Sequence, residues 1–128
     1  MSTFLIVDDD PSIRLLLKQM VHNTDHQVIA TSDGVRALHA LEDNPDVSVI
    51  ITDMQMPNMM GDELVKKVRE NPKTQNMPII MVSGFVKAHE VKDLMKMGVD
   101  RFVPKPIDKH QMLIYINDMF ELSEQRAA

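Results

Sequence analysis

The sequence has no cysteine among its 128 residues. Disulfides and thiolate metal sites are therefore excluded, and a reducing cytoplasm is the expected setting. No apolar run approaches the roughly 18 residues that a membrane-spanning helix needs, and no basic segment precedes a long apolar stretch at the N-terminus. We therefore expect no membrane span and no signal peptide.

The sequence also lacks a cluster of basic residues. The formal net charge is −5, and the lysines and arginines are scattered along the chain. Because binding to a phosphate backbone needs a basic patch, we expect no direct binding of DNA or RNA. The length suits one compact domain, which we place at residues 1–123, and we expect the polar tail 124–128 to fray.

Short apolar runs alternate with segments of helical periodicity along the chain. The runs at 4–7, 28–30, 47–51, 78–82 and 101–103 are predicted strands. Predicted helices begin at Pro11 and cover 33–43, 61–71, 87–97 and 108–121, with Asp108 as a start and Gly98 as a stop signal. Five strand–helix pairs with short connections indicate an α/β fold, a parallel sheet covered by helices on both faces.

Residues suited to chemistry follow four of the predicted strands, where open parallel sheets bind their ligands. They are Asp8, Asp9 and Asp10 after strand 1, Asp53 after strand 3, Ser83 after strand 4 and Lys105 after strand 5. Crowded carboxylates repel one another, and hard oxygen ligands without histidine or cysteine favour Mg²⁺. A carboxylate on Mg²⁺ beside a lysine and a hydroxyl is suited to phosphoryl transfer. Asp10, which precedes Pro11, is expected to be a helix cap instead.

With these residues the sequence resembles the CheY-like receiver domain of two-component response regulators over nearly its whole length. The resemblance is carried by residues 4–11, by 53–57 with Gly61, by Ser83, and by Lys105 followed by Pro106. It implies a flavodoxin-like, doubly wound sheet of five parallel strands in the order 2-1-3-4-5, with five helices in a three-layer α/β/α arrangement.

The resemblance also implies how a phosphoryl group and Mg²⁺ are held. Asp53 would take the phosphoryl group from a phosphohistidine, and Lys105 would pair with that group. Mg²⁺ would be bound directly by Asp9 and Asp53, through water by Asp8, and by the backbone carbonyl of Gln55. Apart from this phosphorylation and its reversal, no enzymatic activity is expected.

A switch is implied in the same way. Ser83 would move to bond the phosphoryl group, and Phe102 would rotate inward behind it. The Lys105–Pro106 peptide is typically cis in the family. By the same resemblance Phe85 stands at a variable position beside the phosphate, where its bulk is expected to hinder the attacking water and slow self-dephosphorylation.

The implied partners are a sensor histidine kinase or histidine phosphotransfer protein as donor, and an effector protein, an effector domain or a second receiver as output. The surface that changes would be helix 4, strand 5 and helix 5. Apolar residues beyond those needed for a core stripe favour a docking patch there, and they are Val91, Met95, Ile114 and Tyr115. The alternative that some of them fill the core remains open.

The histidines show no metal spacing, and we expect all five to be surface residues. They are His22, His26, His39, His89 and His110.

Three other functions fit the sequence less well. A haloacid-dehalogenase-like phosphohydrolase would use Asp8 and Asp10, but it needs an acidic pair after a strand beyond Lys105, where a single helix is predicted. A flavodoxin-like electron carrier needs a phosphate loop after strand 1, where three aspartates would repel the phosphate. An inactive receiver used only as a structural module is disfavoured by the complete set of site residues.

Overall fold

The computed structural model describes residues 2–84 and 86–127, along which strands and helices alternate. The strands are β1 (Thr3–Val7), β2 (Gln27–Thr31), β3 (Val47–Asp53), β4 (Ile79–Ser83) and β5 (Arg101–Pro104). The helices are α1 (Pro11–His22), α2 (Gly34–Asp43), α3 (Gly61–Glu70), α4 (Ala88–Met97) and α5 (Lys109–Ala127). Among these helices, none is long and apolar enough to cross a membrane.

The five strands form one parallel sheet in the order β2-β1-β3-β4-β5. This confirms the predicted fold class and strand order. The register places Val7 opposite Thr52, so the residues that follow β1 lie beside the end of β3. At the other side of β3, Asp53 is level with Val82 of β4, and Ser83 is level with Pro104 of β5.

Two apolar clusters cover the two faces of the sheet and give the predicted three layers. On one face, α2, α3 and α4 pack on the sheet through residues that include Ala37, Leu64, Val68 and Leu94. On the other face, α1 and α5 pack through Leu17, Val21, Met112, Ile116 and Met119. Between them, β1 and β4 are fully buried and β3 is nearly so, as is typical of a sheet covered on both sides, whereas the edge strands β2 and β5 are partly exposed.

The helix ends follow the predicted caps. The Oδ1 atom of Asp10 accepts a hydrogen bond from the backbone N–H of Ser12 at 2.8 Å and so caps α1. Gly98 ends α4 with φ of 115°, a left-handed conformation that glycine adopts without strain. Asp108 precedes α5 and accepts from the backbone N–H of Gln111 at 3.1 Å.

The C-terminal end of α5 differs from the prediction. The helix runs through Ala127, beyond its predicted end at residue 121, and fraying of the tail from residue 124 stays a prediction; Ala128 lies outside the described residues. Arg126 explains the difference, because its guanidinium reaches Asp100 at 2.7 Å and the carbonyl of Asn76 at 3.1 Å. These contacts tie the last turn to the sheet.

His26 is also placed differently, whereas the other four histidines are exposed as predicted. Only 7% of His26 is exposed, and its ring lies between those of Phe4 and Phe120, with centroids 5.0 and 4.7 Å away. Its Nδ1 atom accepts a hydrogen bond from the backbone N–H of Ser2 at 3.0 Å. Burial lowers the pKa of His26, which favours the neutral ring that can stack in this way.

Arg69 joins several segments at the amino-terminal edge of the sheet. Its guanidinium donates to the carbonyl oxygens of Gly98 at 2.6 Å, Met77 at 2.7 Å and Gln75 at 3.0 Å. It also forms an ion pair with Asp100 at 3.2 Å. One side chain therefore connects α3 to the end of α4 and to the segments before β4 and β5.

Candidate functional site

Three carboxylates meet at the carboxyl ends of β1 and β3. Asp8 and Asp9 follow β1 directly, and Asp53 is the last residue of β3. Each offers a carboxylate oxygen within 4.8 Å of the others. Asp8 and Asp53 are buried, whereas Asp9 is exposed. The parallel register of two neighbouring strands thus brings together residues that are 44 and 45 positions apart in the chain.

One lysine faces two of the three carboxylates. The Nζ atom of Lys105 lies 3.2 Å from Asp53 and 3.4 Å from Asp8. Burial alone would lower the pKa of the Lys105 ammonium, but the charges of both aspartates outweigh it, so this pKa is raised. Lys105 therefore carries a full positive charge at neutral pH.

Backbone N–H groups fix the two buried carboxylates in position. The N–H of Asp10 donates to Asp8 at 2.9 Å, and the N–H of Met54 donates to Asp53 at 2.7 Å. Burial nevertheless raises the pKa of Asp8, and the nearby charge of Asp53 acts in the same direction. A single ammonium does not neutralise three carboxylates, so this cluster gains from a further cation.

The donor set fits Mg²⁺. All the ligand atoms offered are carboxylate oxygens, which hard divalent cations prefer, and an exposed member leaves room for the waters that Mg²⁺ retains. Gln55 lies two residues after Asp53, in the loop 54–60 between β3 and α3, and its side chain is exposed. A role for its backbone carbonyl in binding the cation stays a prediction.

The loop 54–60 passes close to the backbone of Asp53. The N–H of Gly61 donates to the carbonyl of Met54 at 2.6 Å. A Cβ atom at position 61 would overlap the carbonyl oxygen of Asp53 and lie 2.8 Å from the Cα of Met54. Only glycine allows this approach, and the buried side chains of Met56 and Met59 anchor the same loop in the core.

The two predicted switch residues lie on β4, which pairs with the strand of Asp53, and on β5, which is one strand further away. Ser83 ends β4 and is buried, and its carbonyl accepts from the N–H of Lys105 at 3.1 Å. Phe102 is half-buried in β5 and packs against the cluster formed with α2, α3 and α4. Their movements stay predictions. Phe85, to which slow self-dephosphorylation was assigned, lies outside the described residues. The Lys105–Pro106 peptide is cis, as expected.

The four residues of the predicted docking patch lie on both sides of the edge strand β5. On α4, Met95 is 43% exposed and Val91 is half-buried. On α5, Ile114 is 45% exposed, whereas Tyr115 is half-buried with its ring 5.8 Å from the guanidinium carbon of Arg101. Because α4 and α5 cover opposite faces of the sheet, a partner that contacts both pairs reaches around β5.

The structure disfavours the phosphohydrolase alternative. Among the described residues, the segment after Lys105 is the single helix α5, so no strand there carries the acidic pair which that class requires.

One further pair of residues, Asp33 and Asn58, carries no sequence signal that predicts their contact. Asp33 precedes α2 and is bonded to Asn58 of the loop 54–60 at 3.0 Å. An aspartate before Gly34 and a helical segment is itself a cap signal that could have been noted. Nothing local to Asn58 indicates its partner, which is 25 residues away in the chain.

Comparison with known proteins agrees with this geometry. Residues 4–117 match the family described as response regulator receiver domain. The chain is 43% identical to the chemotaxis protein CheY homolog of Campylobacter jejuni over 103 residues, which are 80% of this chain and 79% of that protein. It is 34% identical over 121 residues to chemotaxis protein CheY1 of Helicobacter pylori, covering 89% of this chain and 98% of that protein.

Solved structures show the same likeness. The chain superimposes on chemotaxis protein CheY4 of Vibrio cholerae with a TM-score of 0.85 and 28% identity, covering 93% of this chain and 98% of that one. A response regulator receiver domain protein from Clostridium thermocellum gives a TM-score of 0.88 at 23% identity, with 98% of each chain covered. At that identity the second likeness concerns the fold alone.

Proposed function

Because the chain belongs to the response regulator receiver domain family of two-component signalling, we propose that it is switched by phosphorylation of Asp53. The observation that carries this proposal is the meeting of Asp53 with Asp8, Asp9 and Lys105 at one edge of the sheet. Asp8 and Asp53 both lie beside the lysine and the other acids. Asp53 is the acceptor in this proposal because the resemblance places the acceptor in the segment 53–57.

The proposed reaction is a transfer between two groups. A carboxylate oxygen of Asp53 attacks the phosphorus of a phosphohistidine, so that an O–P bond forms and the P–N bond breaks. The bonding electrons return to the imidazole nitrogen of the donor. Asp53 becomes an acyl phosphate, a mixed anhydride that water later hydrolyses to restore the carboxylate.

Residues of this chain hold the charges that the transfer requires. Lys105, already 3.2 Å from Asp53, pairs with the phosphoryl oxygens, and the hydroxyl of Ser83 donates a hydrogen bond to them. Asp8, Asp9, Asp53 and the carbonyl of Gln55 would hold Mg²⁺. When bound, Mg²⁺ supplies the positive charge that offsets the carboxylates and the transferred oxygens.

The donor in this proposal is a sensor histidine kinase or a histidine phosphotransfer protein in the cytoplasm. The output is a change on α4, β5 and α5, where Ser83 and Phe102 adjust to the phosphoryl group. This group adds roughly one to two negative charges, and it favours whichever packing lets Ser83 and Lys105 contact it. The docking patch then meets an effector or a second receiver, and no other substrate is turned over.

The test uses the purified chain with acetyl phosphate and Mg²⁺. Intact-mass spectrometry is expected to show one labile phosphoryl adduct that is absent in Asp53→Asn and after chelation of the metal. Asp10→Asn is the matched control, because Asp10 is an exposed helix cap outside the carboxylate cluster and asparagine caps equally well. An adduct that persists in Asp53→Asn refutes the assignment, and catalytic hydrolysis of p-nitrophenyl phosphate would favour the phosphohydrolase instead.

A further inference from the structure

A buried aspartate outside the carboxylate cluster contacts the loop 54–60. Asp33 is only 5% exposed, and each of its oxygens has a partner. Its Oδ1 atom accepts from the backbone N–H of Arg36 at 2.9 Å and caps α2. Its Oδ2 atom accepts from the side-chain amide of Asn58 at 3.0 Å. The first of these bonds, together with the second, lowers the pKa of Asp33, so the carboxylate is ionised.

The loop is shaped to meet this carboxylate. Asn58 has φ of 69°, a left-handed conformation that asparagine tolerates better than most residues. The next residue, Met59, is buried against Gly34, where a Cβ atom would come within 2.9 Å of the Met59 side chain. The first residues of α2 therefore contact two consecutive residues of the loop, one through a hydrogen bond and one through close packing.

Helix capping alone does not account for this arrangement. A cap requires one acceptor oxygen, and serine or asparagine would serve as well as aspartate. The second oxygen of Asp33 is directed to the loop. The guanidinium of Arg36 is 3.7 Å from that oxygen but is largely exposed, so it contributes little.

We propose that Asp33 is a positioning residue for the loop 54–60. Its hydrogen bond with Asn58 holds this loop so that the Gln55 carbonyl would face a cation bound by the carboxylate cluster. The loop is then fixed at three points, namely at Gly61 against Asp53, at Met59 in the core, and at Asn58 on α2. A carbonyl that is held in place before the cation arrives loses less conformational entropy on binding it. The inference rests on the proposed function, since it concerns the same Mg²⁺ site.

Three variants separate the loop contact from the cap. Asp33→Ser keeps an oxygen for the N–H of Arg36 but has none for Asn58. Asn58→Gly keeps the left-handed backbone and removes the amide. Asp33→Asn can keep both bonds, because its oxygen caps the helix and its amide donates to a rotated Asn58. Asp108→Ser is the matched control, the same substitution at the cap of α5.

The measurement is the dissociation constant for Mg²⁺ of the unphosphorylated chain by titration calorimetry, with thermal melting in parallel. We expect Asp33→Ser and Asn58→Gly each to weaken Mg²⁺ binding about fivefold, the size of one hydrogen bond. Because both remove the same bond, the double variant should also be about fivefold weaker rather than about 25-fold. Asp33→Asn and Asp108→Ser should bind Mg²⁺ like the wild type.

The outcomes distinguish the two proposals. If the wild type binds Mg²⁺ and the Asp33 and Asn58 variants bind it equally well while melting at lower temperature, Asp33 is only a cap and the positioning role is overturned. Effects that multiply in the double variant overturn it as well, because they show that the two residues act separately. If the wild type itself binds no Mg²⁺, the proposed function is refuted and this inference with it.

Discussion

Three glycines at the functional edge of the sheet make a matched series, because an added methyl group meets a different neighbour at each. At Gly61 the new Cβ would overlap backbone atoms, the carbonyl oxygen of Asp53 and the Cα of Met54. At Gly34 it would meet the flexible side chain of Met59, at 2.9 Å. At Gly84 the nearest atom is the Cβ of Lys105 at 3.5 Å, an ordinary contact. Alanine should therefore have three different effects.

The size of each effect follows from what must move. Overpacking costs about 1–3 kcal/mol, and Gly61→Ala should be at the upper end because two backbone segments must separate. Every Gly→Ala variant also gains about 0.4–1 kcal/mol of stability, because alanine has less conformational entropy in the unfolded chain. The free energy of unfolding of Gly61→Ala should therefore fall by about 2 kcal/mol. Gly34→Ala should lose less than about 1 kcal/mol, since Met59 can change its rotamer. Gly84→Ala should be unchanged or more stable by about 0.5 kcal/mol.

Urea unfolding of the three variants measures these differences, with equal slopes indicating that only stability has changed. The phosphoryl adduct should also be reduced in Gly61→Ala alone, because the displaced carbonyl belongs to the proposed acceptor. Equal stability of Gly61→Ala and wild type would refute the reasoning. A loss of stability in Gly84→Ala as large as that in Gly61→Ala would also refute the reasoning, since the effect would then come from alanine itself and not from the atoms around each position.

Three further predictions concern other parts of the molecule. His26 has a lowered pKa in the fold, so the unfolded chain takes up a proton first as the pH falls through 6.5, and the free energy of unfolding should decrease between pH 7.5 and 5.5. In His26→Phe this decrease should be smaller in the same urea titrations. In Arg126→Ala the free energy of unfolding should fall by about 1 kcal/mol, because the contacts with Asp100 are lost. Hydrogen exchange should accelerate in the last turn of α5 for the same reason. Mg²⁺ at about 100 times its dissociation constant should raise the free energy of unfolding by about 2.7 kcal/mol, and Asp9→Asn should lose most of this gain.

The sequence was sufficient to predict the fold and the meeting of Asp8, Asp9, Asp53 and Lys105 at one edge of the sheet. Strand ends are marked locally, by acids after the run 4–7 and by Asp53 after the run 47–51, and the topology of parallel sheets brings such ends to one edge. The caps at Asp10, Gly98 and Asp108 were predictable for the same reason, since each depends on its own neighbours in the chain.

Features that depend on distant residues were missed. The burial of His26 requires the rings of Phe4 and Phe120 on either side, and nothing near position 26 signals them. The continuation of α5 beyond residue 121 depends on the ion pair of Arg126 with Asp100, which lies between α4 and β5 and is distant in the chain. The bond of Asp33 to Asn58 likewise exists only once α2 has packed beside the loop.

Arg69 restricts what can occupy its position more than its charge suggests. It holds three carbonyl oxygens and one carboxylate at once, which requires a planar group with several donors directed apart. Lysine would bring the same charge as a single compact ammonium, so it could serve only some of these acceptors and would leave others without a donor. Redesign of this surface for solubility or expression should therefore treat the arginine as a shape requirement and leave it unaltered.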